Sequence, residues 1–169
     1  KGARFEGANL RDANLENAYA WDENGRKANL RGANLTGANL TGADLTTADL
    51  TGAILPEGWI MVNGYLIGPG AVLFGVNLSG EDLSGIDLRG ADLRDAKLDS
   101  SDLSDANLKG ADLTGANLTD ANLTGAILPE GWIMVNGYLI GPEAVLIGAN
   151  LSGANLLEAN LKDADLSGS

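Results

Sequence analysis

The side chains able to do chemistry in this sequence are almost all carboxylates. Asp82 and Asp102 stand twenty residues apart, as do Asp92 and Asp112. Stacked on one face, such pairs could act as general acid and base or hold Ca²⁺. Asn alternates with Asp at the same position along the chain, which reads as a surface ladder whose charge is diluted to limit repulsion. Glu81 is a different case: it is the one titratable residue at an inward-facing position of an otherwise regular stretch, VNLSGEDLSGIDL. A lone buried carboxylate costs several kcal/mol or takes up a proton, so the coil is expected to bulge there or the side chain to turn outward. Histidine and cysteine are both absent, which removes disulfides, thiol nucleophiles, the common zinc ligands and the usual proton shuttle at neutral pH. No phosphate-binding glycine loop, nucleophile elbow or metal-ligand spacing is present. Six Asn-Leu-Ser/Thr sequons follow from the repeat alone. The expectation is a protein without catalytic residues, metal or cofactor.

The elements that carry these residues are set by a period of five. From Arg31 the chain reads RGANL TGANL TGADL TTADL TGAIL. The frame runs from Phe5 to Leu55, from Leu73 to Leu128 and from Leu146 to Leu166, giving 28 units; 25 have Leu at the centre and 23 have Ala two places earlier. Period five suits neither an α-helix at 3.6 nor a long strand at 2. Within a unit, however, Ala and Leu are two apart, so a short extended piece points both inward and the Asn or Asp between them outward. The Thr/Ser and Gly that follow must turn the chain. A corner every five residues winds the backbone around a core of Leu and Ala, with backbone groups pairing between coils.

The units AlaAsnLeuThrGly, AlaAspLeuThrGly and AlaAspLeuArgGly resemble the A(D/N)LxG motif of the pentapeptide-repeat family over most of the chain. The resemblance implies an all-β fold, a right-handed quadrilateral β-helix with four units per coil. It implies about seven coils, roughly 34 Å at about 4.8 Å per coil, in a single domain covering residues 1–169.

Three departures interrupt the repeat. LTGAILPEGWIMVNGYLIGP at 50–69 recurs unchanged at 123–142, the mark of an internal duplication. In each copy two β-prone runs flank Asn-Gly, at Asn63-Gly64 and Asn136-Gly137, the strongest short hairpin signal. Pro56, Pro69, Pro129 and Pro142 bracket the pair, so hairpin inserts are expected at about 56–70 and 129–143. These inserts resemble those of cyanobacterial family members. Counted as one five-residue step plus 13 further residues, the insert leaves twelve steps between hairpins, placing both on one face about 14 Å apart. Trp59, Tyr65, Trp132 and Tyr138 are half of the eight aromatics and are the candidate protein-interaction residues; the alternative is that they pack on the coils they spring from. The third departure, AYAWDENGRKA, predicts a small loop at about 19–27 that replaces two units without shifting the frame. Arg26, Lys27 and Arg31, with Arg4 and Arg11, form the basic concentration of the chain.

The net charge is −12, and −11 of it falls within 51–169. Such a surface repels phosphate backbones, so direct nucleic-acid binding is not expected. No apolar run reaches the roughly 18 residues of a membrane-spanning helix. The leading reading is a non-enzymatic scaffold or protein-interaction module whose partner is a protein. The alternative, implied by the resemblance, is an acidic DNA mimic that binds DNA gyrase or topoisomerase, although the chain ends ADLSGS without the helical cap through which such mimics dimerise. The ends expose coil edges, which predicts weak end-to-end self-association. Lys1 in place of Met and the start in mid-repeat suggest a trimmed piece of a longer bacterial protein. It would reside in the cytoplasm, or in the periplasm or thylakoid lumen if a signal has been removed.

Overall fold

The computed structural model describes residues 4–20 and 27–169. The chain falls into two compact units, Lys1–Val72 and Leu73–Ser169. Each is a right-handed quadrilateral β-helix.

One repeat of the second unit, Ser101–Asp105, shows how five residues close a corner with no N–H left over. Ser101 donates to the Leu98 carbonyl across the turn at 3.1 Å, Asp102 to Glu81 in the coil before at 2.9 Å, and Leu103 to Asn122 in the coil after at 2.8 Å. The Ser104 N–H is taken by the Asp102 side chain at 2.9 Å, and Asp105 donates to Thr124 at 2.9 Å. Full pairing of this kind is what a buried backbone requires. The last turn residue has positive φ, 57° at Asp105 and 72° at Gly110, as a type II turn demands, which is why Gly, Asp and Asn recur there. Leu73, Leu78, Leu83, Leu88, Leu93, Leu98, Leu103, Leu108 and Leu113 are fully buried.

Glu81 does not disturb this pattern. Its N–H donates to Leu78 at 3.2 Å and its carbonyl accepts from Asp102, so the coil runs on without a bulge and the residue stays partly exposed. Ser101, in the same column one coil on, is buried and returns its hydroxyl to the Leu98 carbonyl at 2.7 Å.

In the first unit, bridges join Asn9 to Asn34 and Asn14 to Asn39, but Asn29 to Asp49 and Asn34 to Ile54. The first coil is therefore one repeat longer than the second. The extra length lies between Ala20 and Ala28, where the Ala28 N–H closes onto the Ala20 carbonyl at 2.6 Å. The loop thus takes the place of a single corner while lengthening its coil by five residues, which is why the five-residue frame passes through it unchanged. Of the expected loop at about 19–27, residues 21–26 lie outside the described residues.

Each unit carries one hairpin. β1 (Ile60–Val62) pairs antiparallel with β2 (Tyr65–Ile67) in the first; β3 (Ile133–Val135) pairs with β4 (Tyr138–Ile140) in the second. The turn residues have φ of 48° and 83° at Asn63-Gly64, and 51° and 85° at Asn136-Gly137. Positive φ at both positions is the type I′ requirement that Asn-Gly meets. The second strand of the hairpin also serves as a coil side. Ala71 donates to the Gly68 carbonyl in the ordinary corner bond, and Gly42 donates to Gly70 in the next coil. Gly68 therefore stands where leucine stands in other repeats. The step from Leu55 to Gly68 holds the insert and the step from Gly68 to Leu73 is regular, so the insert spans two steps with eight extra residues instead of one step with 13. The twelve-step count behind the shared-face expectation does not hold.

Candidate interaction surface

The outward Asn and Asp of each repeat are committed to the backbone. Their Oδ1 accepts the N–H two residues on: Arg11 to Asn9 at 3.2 Å, Thr36 to Asn34 at 3.0 Å, Lys109 to Asn107 at 3.2 Å, Thr114 to Asp112 at 3.1 Å. This N–H belongs to the first corner residue and has no place in the ladder between coils. A short side chain with an oxygen suits that position, and Asn and Asp both supply it, although Lys97 and Val145 hold the same place in the ladder without one. Where the next residue but one is Pro56 or Pro129, there is no N–H to satisfy, and the outward position is Ile54 or Ile127, exposed at 56% and 53%.

The paired carboxylates are held in the same way. Asp102 accepts from Ser104 and, at 3.1 Å, from the Asn122 amide. Its hydrogen bonds to Ser104 keep its pKa below the usual carboxylate range, though Asp82 opposes this by repulsion. Asp82 is lowered by its own bonds to Ser84. Asp92 binds Arg94 through both oxygens, at 2.8 and 2.7 Å, and that bond lowers its pKa. The Arg94 guanidinium also reaches Asp112 at 3.7 Å and lies over the Phe74 ring, 5.5 Å from its centroid. Asp82, Asp92 and Asp102 are thus held toward the ionised form, the opposite of a general acid poised near neutrality. No group of acidic residues among those described is arranged to hold a metal ion.

The hairpin aromatics divide into two kinds. Trp59 and Trp132 are buried, 9% and 8% exposed. The indole of Trp59 lies in the space that a side chain at Gly68 would fill, and Trp132 does the same at Gly141. Each tryptophan thus takes the room vacated by leucine where a coil side is also a hairpin strand. Tyr65 and Tyr138 are half-buried. What the hairpins present outward is aliphatic: Ile60 and Met61 at 43% each, and Met134 at 42%. In the second unit the hairpin turn is tied down by the Asn136 amide, which donates to the Ser152 carbonyl at 3.3 Å. The sequence singled out the aromatics for their type; only the facing glycine, which reads as a loop residue, distinguishes a tryptophan that fills a core from one that meets a partner.

A family model for pentapeptide repeats matches in eight copies, over residues 1–20, 26–56, 70–105, 101–130 and 143–169. The chain belongs to the pentapeptide-repeat family. Among solved structures it is similar to HetL, a pentapeptide repeat protein involved in heterocyst differentiation regulation in the cyanobacterium Nostoc sp. strain PCC 7120. The identity is 39%, over 79% of this chain and 56% of that one, with a TM-score of 0.39. It is similar also to Rfr23 from the cyanobacterium Cyanothece 51142, at 29% identity over 76% and 86% of the two chains, TM-score 0.26. QnrB1, a plasmid-mediated fluoroquinolone resistance protein, matches at 17% identity over 98% and 84%, TM-score 0.42. The pentapeptide-repeat chain described here spans a little over half the length of HetL. No curated protein sequence matches it. No helix among the described residues is long and apolar enough to cross a membrane.

Proposed function

We propose that this pentapeptide-repeat protein is a non-enzymatic scaffold whose hairpins bind a protein partner. The observation that carries the reading is the contrast between its surfaces. Most outward coil positions are Asn or Asp spent on corner hydrogen bonds, with exposed apolar residues such as Phe74, Ile147 and Leu157 scattered singly among them. The hairpins instead present apolar residues on protruding two-stranded elements, Ile60 and Met61 in one and Met134 in the other. Flexible, polarisable methionine suits an interface. Tyr65 and Tyr138, half-buried on the hairpin face opposite Met61 and Met134, supply the aromatic contribution; Trp59 and Trp132 act by holding the hairpins against the coils. Ionised, hydrogen-bonded carboxylates support the non-enzymatic part of the reading. The test is a Met61→Glu, Met134→Glu double variant, compared with the parent in capture of partners from a bacterial lysate and in thermal unfolding. The expected outcome is unchanged folding with loss of a discrete captured protein. Capture that survives the double variant would move the interface to the coil faces.

The acidity of residues 51–169 favours one second reading, a mimic of DNA that binds gyrase. A supercoiling assay separates the two: the scaffold leaves gyrase activity unaltered, and a mimic inhibits it or protects it from quinolones.

A further inference from the structure

The asparagines of this chain occupy two chemically distinct settings. In the repeats, Asn is followed by Leu, whose N–H is locked in the ladder between coils: Leu10 donates to Asn34 at 2.8 Å, Leu35 to Ile54 at 2.8 Å, Leu108 to Ile127 at 2.8 Å. At the two hairpin turns the asparagine is exposed, and the following residue is Gly64 or Gly137, also exposed. No backbone partner is present for the N–H of Gly64 or Gly137 among the described residues, in contrast to the Leu N–H of the repeats, and neither glycine is crowded at its α-carbon. An Asn side chain next to an unshielded glycine nitrogen is the arrangement from which a cyclic imide forms.

We propose that Asn63 and Asn136 are sites of spontaneous deamidation, and that the pentapeptide coils protect the remaining Asn-Leu positions. The Gly64 backbone nitrogen attacks the Asn63 side-chain carbonyl carbon; that C–N bond forms as the carboxamide nitrogen leaves as ammonia, taking the glycine N–H proton. Water then opens the five-membered imide at either carbonyl, giving aspartate or isoaspartate. The same steps apply at Asn136 and Gly137. Either product places a new negative charge at the turn. Isoaspartate also inserts a carbon into the backbone, so the two-residue type I′ geometry that sets Val62 opposite Tyr65, and Val135 opposite Tyr138, is lost.

The experiment is incubation of the intact chain at mildly alkaline pH, with peptide mapping by mass and by isoaspartate-sensitive cleavage. Asn63 and Asn136 are expected to convert roughly tenfold or more faster than Asn34 and Asn107, a barrier difference of about 1.4 kcal/mol. An Asn63→Gly, Asn136→Gly variant, whose Gly-Gly turns also accept type I′ geometry, is expected to show no conversion at either hairpin. The sequence holds a third Asn-Gly at Asn24-Gly25, which serves as an internal control for the conditions. Conversion of Asn24 while Asn63 and Asn136 stay intact would overturn the proposal, as would equal rates at the hairpin and Asn-Leu positions.

Discussion

The central leucine and the outward asparagine of the repeats, alike in their regularity, hold the fold by different means. Leu93 is fully buried, and truncating it removes both transfer energy and packing. Leu93→Ala is expected to cost about 2–5 kcal/mol, read from chemical denaturation. Asn107 faces out, yet its Oδ1 holds the Lys109 N–H. Asn107→Ala is expected to cost about 0.5–1.5 kcal/mol, softened because water reaches the site. Asn107→Asp should be close to neutral, because the oxygen that matters is kept. Equal losses from the Ala and Asp substitutions would show that the hydrogen bond is not what selects these residues. The inward and outward rows were legible from spacing alone. The corner bond was not, because alternation of Asn with Asp looks like charge dilution until the N–H it serves is seen.

At the level of elements, the hairpin is built into the coil and is more than a decoration of it. Removing residues 58–65 takes away the eight extra residues and leaves Pro56, Glu57, Leu66 and Ile67 between Leu55 and Gly68. With Trp59 gone, Gly68 faces a void of leucine size, and the shortened chain is expected to lose about 2–5 kcal/mol. Adding Gly68→Leu should restore most of that loss, since the φ of Gly68 is not positive and leucine is the residue of this column elsewhere. Thermal melts of the two shortened chains check this; no recovery with leucine would mean that the tryptophan does not replace it. Asn-Gly and flanking β-prone runs made the hairpins readable in advance. Their true length was hidden because the second strand belongs to both hairpin and coil, and because Gly68 carries no apolar signature. The lengthened first coil was hidden for a similar reason: an insertion of one whole repeat leaves a period of five intact.

For the whole molecule, charge sets the response to acid. Asp49, Asp82, Asp87, Asp92, Asp102 and Asp165 all have pKa values lowered by hydrogen bonds, from Thr51, Ser84, Arg89, Arg94, Ser104 and Ser167 in turn. A carboxyl that binds protons less readily folded than unfolded adds stability above its unfolded pKa and loses it as pH falls through the folded value. The unfolding midpoint is therefore expected to hold from pH 7 to about 5 and to fall below about 4, the unfolded aspartate range. With a net charge of −12, mutual repulsion works in the other direction. A midpoint that rises on acidification through pH 4 would show that repulsion, and not the corner bonds, governs stability.

Pro56 and Pro129 have a meaning beyond punctuation. Where the outward residue is Asn or Asp, it carries a duty toward the corner that follows it, and its identity is largely taken up by that duty. By deleting the donor, each proline releases its predecessor, and residues 54 and 127 become the places where surface chemistry can change without a debt to the backbone. Isoleucine already exploits this freedom in both copies. The points at which the chain leaves its coils are thus also the points at which its exterior is open to revision.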